Sequence, residues 1–181
     1  MSILSPSYTA FSAYLSVRLR LSICKVKPCS FNGVYQPSLL DTFANGKVLL
    51  LSYFFDRLDP ILSGSGVSSD LLQPAHGSSS SSKETPSVKI SNIASLAKIV
   101  CDGKESWDKN LKPSKDLRAE LEDRPEYCLD LTFMHALLRL GYEFRPDKEV
   151  ELGKKIQGTE LGWCLGATIA MVGGGSLECK V

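Results

Sequence analysis

Charge of one sign is what this 181-residue sequence has least of: 21 lysines and arginines against 20 aspartates and glutamates leave a formal charge of +1. Without a basic field the chain has no electrostatic means of gathering nucleic acid, and without an acidic one it has none of gathering cations. Close cysteine pairs are missing too. Cys24, Cys29, Cys101, Cys128, Cys164 and Cys179 include no Cys-x-x-Cys spacing and form no cluster with His76 or His135, which argues against a thiolate metal site. No stretch reaches the roughly 18 to 20 uninterrupted apolar residues of a membrane helix, so no membrane span is expected. Acidic residues are absent before Asp41, and Arg18 and Arg20 follow an apolar run rather than precede one, the reverse of a secretory signal. Residues 1–28 are therefore set apart as an N-terminal segment: a weak targeting sequence, a disordered stretch or a mis-assigned start.

What is present is enough to fold. At 43% hydrophobic residues the chain can bury a core of one domain or one lobe, and disorder throughout is excluded. The run Lys47–Asp56, "KVLLLSYFFD", follows Ala44-Asn45-Gly46 and reads as a buried strand, with Asn45-Gly46 turning it into a hairpin with residues 33–43. Residues 63–86 are dominated by Ser, Gly and Pro and read as a surface excursion. Ile90, Ile93, Leu96, Ala97 and Val100 recur at steps of three and four and predict a helix ending near Cys101. Residues 108–124 are charged, with Pro113 and Pro125 interrupting, and read as a loop or a short solvated helix. A short apolar strand Tyr127–Leu129 is expected next, then a helix capped by Asp130 or Thr132, whose apolar face carries Phe133, Met134, Leu137 and Leu138 and whose end is marked by Gly141. A last apolar helix is expected from Thr159 or Glu160 to about Val172, ended by Gly173-Gly174-Gly175 ahead of a tail, 173–181. This order of elements predicts an α/β fold with helices packed on a sheet.

Candidate chemistry is sparse. The Gly173–Gly175 cluster has no following Lys, and Ser63-Gly64-Ser65-Gly66 lies in low complexity, so both read as linkers rather than phosphate loops. Neither His76 nor His135 supports a Ser/His or Cys/His pair. Asp56 and Arg57 are in place to reach a ribose or phosphate, with a surface ion pair the simpler account. Cys101 and Cys128 each close an apolar segment and are the most plausible bridge, with buried thiols left open; Cys164 reads as buried and inert.

Taken in order, "CSFNGVYQPSL", "LSYFFDR", "IVCDG", "YCLDLTFMHALLRLGYEF" and "KKIQGTELGWCLGA" resemble the C-terminal part of the apyrase and guanosine diphosphatase family, and most closely its fungal Golgi members. The resemblance covers residues 29–172, broken by the Ser-rich loop. It implies an actin-like fold of ribonuclease H-like lobes, of which this chain would hold the C-terminal portion. It also implies hydrolysis of a nucleoside diphosphate such as GDP or UDP with a divalent cation (Ca, Mn or Mg), in the lumen of the Golgi or secretory pathway.

Water held in line, and a metal and amides that neutralise the growing charge on phosphate, are what that reaction requires. The family's glycine-rich phosphate loops and catalytic glutamate have no counterpart in this sequence. No catalytic residue or metal ligand is therefore assigned, and the chain alone is expected to be inactive, its partner being a missing N-terminal lobe. A noncatalytic nucleotide- or partner-binding module is the competing expectation. The resemblance carries two aromatic base contacts onto this sequence, Phe55 (or Phe54) and Phe133. Trp163 reads as a packing anchor, and the family's last motif makes Glu160, Gly162, Trp163 and Gly166 cleft-lining candidates, with Gly162 and Gly166 spaced to admit a close backbone. The Cys101–Cys128 pairing matches a bridge of the family, and Cys24 with Cys29 would be an improvised second one.

Overall fold

A computed structural model describes residues 7–18, 29–30, 33–43, 46–66, 86–156, 159–160 and 162–173. Cys24, Asn45, His76 and Cys179, the greater part of the Ser-rich stretch and the end of the tail lie outside the described residues. In chain order the elements are α1 (Tyr8–Arg18), β1 (Cys29–Ser30), β2 (Val34–Tyr35), α2 (Leu39–Thr42), β3 (Leu49–Leu50), α3 (Tyr53–Gly64), β4 (Ser87–Lys89), α4 (Ile90–Cys101), α5 (Lys104–Ser106), α6 (Lys115–Asp123), α7 (Tyr127–Ala136), β5 (Glu149–Leu152), β6 (Lys155–Ile156), β7 (Thr159–Glu160) and α8 (Trp163–Gly173). Helix and strand alternate as an α/β protein requires, with helices supplying most of the core.

The core is built where α4 meets α7. Ile90, Ile93, Leu96, Ala97 and Val100 form the inward stripe of α4, as their spacing predicts, and all are buried. Against them α7 presents Cys128, Leu131 and Met134, also buried. Cys101 at the end of α4 is bonded to Cys128 in the first turn of α7, with Cα atoms 4.7 Å apart. Thr132, fully buried, satisfies its hydroxyl by donating to the Cys128 carbonyl at 2.7 Å, so it carries no unmatched polar group into the core.

A mixed sheet in the order β3-β5-β4 flanks these helices, with β5 parallel to β3 and antiparallel to β4. Val150 and Leu152 of β5 are buried while Glu149 and Glu151 between them are not, the period-two alternation of a strand with one covered face.

Several expectations are corrected. Only Leu49–Leu50 of the predicted strand 47–56 pairs, and its partner is β5; Tyr53 onward is helix. An apolar run such as "LLLSYFF" has no period of its own, and what decides it is the continuation, where Phe54, Leu58, Ile61 and Leu62 repeat at helical spacing. The hairpin with 33–43 is not formed: Val34–Tyr35 pair with Cys29–Ser30, and Leu39–Thr42 form a helical turn capped by the Ser38 hydroxyl. Tyr127–Leu129 is not a strand but the opening turn of α7, so neither Asp130 nor Thr132 caps it. Within 108–124, α6 is no solvated helix, since Leu117 and Leu121 are buried on one face. Thr159 and Glu160 pair with Ile156 and Lys155, which delays α8 to Trp163.

Candidate functional site

Helix α3 begins directly after β3 through Ser52, whose φ of 51° is a backbone region that favours glycine. That turn sets Tyr53, Phe54, Phe55 and Arg57 on the first turns of α3. Arg57 faces α7: its Nε lies 2.7 Å from Asp130 Oδ2, and the two side chains are only 14% and 13% exposed. The guanidinium also sits 5.0 Å from the centre of the Tyr127 ring and 5.6 Å from that of Tyr53, distances at which a cation is attracted to a ring face. Glu126 adds a weaker contact at 4.0 Å. Of the two residues expected in surface ion pairs, Asp56 is exposed and lies 4.0 Å from Lys154, whereas Arg57 is in a largely buried pair that ties α3 to α7.

This geometry sorts the aromatic residues. Tyr53 stands four residues before Arg57, on the same face of α3, and is 42% exposed. Phe55 stands two residues before Arg57, on the far side of the helix, and together with Phe54 packs half-buried against the core. Phe133 lies one turn beyond Asp130 on α7 and is 40% exposed. Of the residues carried over for base contact, Phe133 thus faces solvent, whereas Phe54 and Phe55 sit on a helix rather than a strand end and contribute to packing. Tyr53 is not a core residue: it is the exposed ring at the start of α3. Its phenol is pushed up to about 12, by partial burial first and then by the Asp130 carboxylate.

The remaining candidates fall elsewhere. Glu160 is in β7 and Trp163 opens α8, and the side chains of both lie outside the described residues. Gly162 and Gly166 meet nothing within 4 Å of where a Cβ would stand, so the close backbone their spacing suggested is not among the described residues. Cys164 is exposed, correcting the reading of a buried thiol. A cavity of about 280 Å³ opens beside the Cys101–Cys128 bridge between Trp107, Leu121, Pro125 and Tyr127, and none of Tyr53, Phe54, Phe55 or Phe133 lines it. Among the described residues no group of three His, Cys, Asp or Glu side chains converges as metal ligands do, so the residues present do not fit a divalent cation.

Comparison with known proteins follows the same lines. The model of the GDA1/CD39 (nucleoside phosphatase) family matches residues 7–181. The chain is 42% identical over 149 residues to a probable guanosine-diphosphatase of Aspergillus fumigatus, covering 82% of this chain and 25% of that protein. It is 36% identical over 159 residues to the guanosine-diphosphatase of Saccharomyces cerevisiae, covering 87% and 27%, and 37% identical over 149 residues to that of Schizosaccharomyces pombe, covering 82% and 23%. It therefore spans about a quarter of the length of the relatives it matches. With a family model matched over nearly its whole length, this chain belongs to the GDA1/CD39 (nucleoside phosphatase) family.

Proposed function

We propose that this chain is the nucleobase-binding portion of a nucleoside diphosphate hydrolase acting on GDP or UDP. In that reaction water attacks the terminal phosphorus, the bond to the bridging oxygen breaks, and a nucleoside monophosphate and phosphate leave. The observation that carries the reading is the family match together with relatives named as guanosine-diphosphatases. The chemistry at phosphorus is assigned to a companion lobe, which would bring the phosphate loops, the glutamate that activates water and the ligands of a Ca, Mn or Mg ion. This chain contributes a surface for the base, with Phe133 on α7 and the aromatic start of α3, Phe54 and Phe55, as its members. Stacking a base on one such ring is worth roughly 1 to 3 kcal/mol, enough to set affinity and far short of breaking an anhydride. The helix-to-helix bridge Cys101–Cys128 supports assignment to an oxidising compartment such as the secretory lumen.

The test is direct. The purified chain should show saturable binding of a fluorescent guanine nucleotide and no phosphate release from GDP or UDP; turnover by this polypeptide alone would overturn the assignment of chemistry to another lobe. Release restored by adding a companion lobe favours the hydrolase. Binding that no companion lobe converts into release favours the second reading, a noncatalytic nucleotide-binding module.

A further inference from the structure

We propose that the cavity beside the Cys101–Cys128 bridge is a second ligand site, separate from the nucleotide surface, and that it takes a small organic anion: one ring on a short chain ending in a carboxylate. The cavity measures about 280 Å³. Folded cores seldom leave a void larger than a water molecule, and an apolar void of about 150 Å³ already holds a benzene. The space here therefore admits a phenyl ring with several methylenes. Its walls are apolar and fixed. The buried Trp107 indole donates to the Val100 carbonyl at 2.9 Å, which holds that ring in place. The Tyr127 hydroxyl donates to Glu120 Oε1 at 2.6 Å, and the Arg57 guanidinium lies 5.0 Å from the centre of its ring. The bridge itself and the buried Leu121 complete the wall. A ligand entering such a pocket has no wall side chain to order, so little affinity is lost to entropy.

Charge at the mouth selects the ligand. Lys104, Glu122 and Arg124 are the charged residues of the lining. Lys104 is committed to Glu122 at 3.0 Å, and Arg118 approaches the same carboxylate at 4.0 Å. Arg124 has no ion pair among the described residues. Two cations against one carboxylate leave one positive charge over, which matches a monoanion. A guanidinium at the rim meets a carboxylate through parallel N–H groups, whereas a cationic head would face an uncompensated like charge. The indole N–H and the phenolic O–H are already given to Val100 and Glu120, so these rings keep no donor with which to read a nucleobase. What the cavity offers is an apolar slot with a cation at its entrance.

Titration of the isotope-labelled chain with phenylbutyrate, read at the Trp107 indole N–H resonance and by calorimetry, tests this. Saturable binding that shifts Trp107 and raises the melting temperature is expected. Arg124 stands at an exposed rim, so its charge should supply about three- to fivefold in affinity, and phenylbutanol should bind more weakly than the acid by that factor. Arg124→Gln should remove this preference and leave the affinity for the alcohol unchanged. Leu121→Phe, shown to be folded by its melting temperature, should weaken both compounds about tenfold or more by filling the space. Where that variant does not fold, the comparison of acid and alcohol on Arg124→Gln decides alone. Excess GDP should leave the titration as it was. Absence of saturable binding, a Trp107 resonance that stays still, equal affinity for acid and alcohol, or a preference that survives Arg124→Gln each overturns the assignment. Displacement by GDP overturns it too, because the cavity would then belong to the nucleotide surface.

Discussion

Arg57 Nε and Asp130 Oδ2 meet at 2.7 Å between α3 and α7, with little of either side chain left in water. Such a pair is a weak source of net stability, because desolvation offsets most of the attraction, but breaking it leaves one charge buried without its partner. Arg57→Met or Asp130→Leu alone is therefore expected to lower the unfolding free energy by an amount at the lower end of about 3 to 5 kcal/mol, since some solvent contact remains. The two changes together should recover most of that loss. Urea unfolding of the single and double variants measures the coupling. Additive losses would mean that the charges do not sense each other.

The Cys101–Cys128 bridge closes a loop with a sequence separation of 27. On the chain-entropy account a loop of that length contributes about 3.5 kcal/mol by restricting the unfolded chain. Replacing both cysteines by alanine should lower the urea midpoint accordingly. Reducing the parent should do the same, because the bridge is the link that joins the ends of α4 and α7. An unchanged midpoint after complete reduction, verified by thiol titration, would show that packing between these helices suffices alone.

How far the fold was legible depended on whether a local period existed. The stripe of α4 could be read because Ile90, Ile93, Leu96, Ala97 and Val100 repeat at helical intervals over the whole element. Tyr127, Cys128 and Leu129 are too few to show a period, and they look like a strand until the helix behind them is known. The start of α3 was hidden in the same way, and Pro60 within it points away from a helix altogether. The candidate site was less legible still. Nothing in the sequence joins Arg57 to Asp130, because their pairing comes from the packing of α3 on α7. That pairing, in turn, is what separates the exposed Tyr53 from the half-buried Phe55 beside it. A signal did exist in retrospect: Tyr53 and Arg57 are four apart, the spacing at which a helix brings a cation over a ring.

Ser52 occupies φ 51°, ψ −116° between β3 and α3. Backbone strain of this kind costs on the order of 1 to 3 kcal/mol in a residue with a Cβ, and glycine relieves it while losing part of the gain to its greater freedom when unfolded. Ser52→Gly is expected to stabilise the chain by about 1 kcal/mol, read as a higher urea midpoint at an unchanged slope. A loss of stability would mean that the serine side chain supplies an interaction outweighing the strain.

His135 Nδ1 in α7 and the Tyr8 hydroxyl of α1 share a hydrogen bond at 3.1 Å, and the rings approach to 6.3 Å between centres. Burial holds the imidazole below its ordinary range, and Arg139, one turn along the same helix, pushes in the same direction. The consequence for stability has a definite sign. A histidine with a depressed folded-state pKa takes up its proton more readily in the unfolded chain, so the unfolded state gains as pH falls below the ordinary histidine value. The contribution of His135 is complete above that value and is withdrawn as the solution is acidified. With both ring nitrogens carrying protons, the imidazolium can only donate to the Tyr8 hydroxyl. The parent is accordingly expected to melt at a lower temperature at pH 5.5 than at pH 7.5, with amides of α1 exchanging faster at the lower pH after correction for intrinsic rates. His135→Gln keeps an acceptor for Tyr8 without a titrating group and should flatten both responses. Because carboxylates elsewhere also titrate toward the acid end, the decisive quantity is the difference between parent and variant: equal pH slopes would show that His135 does not couple the seating of α1 to protons.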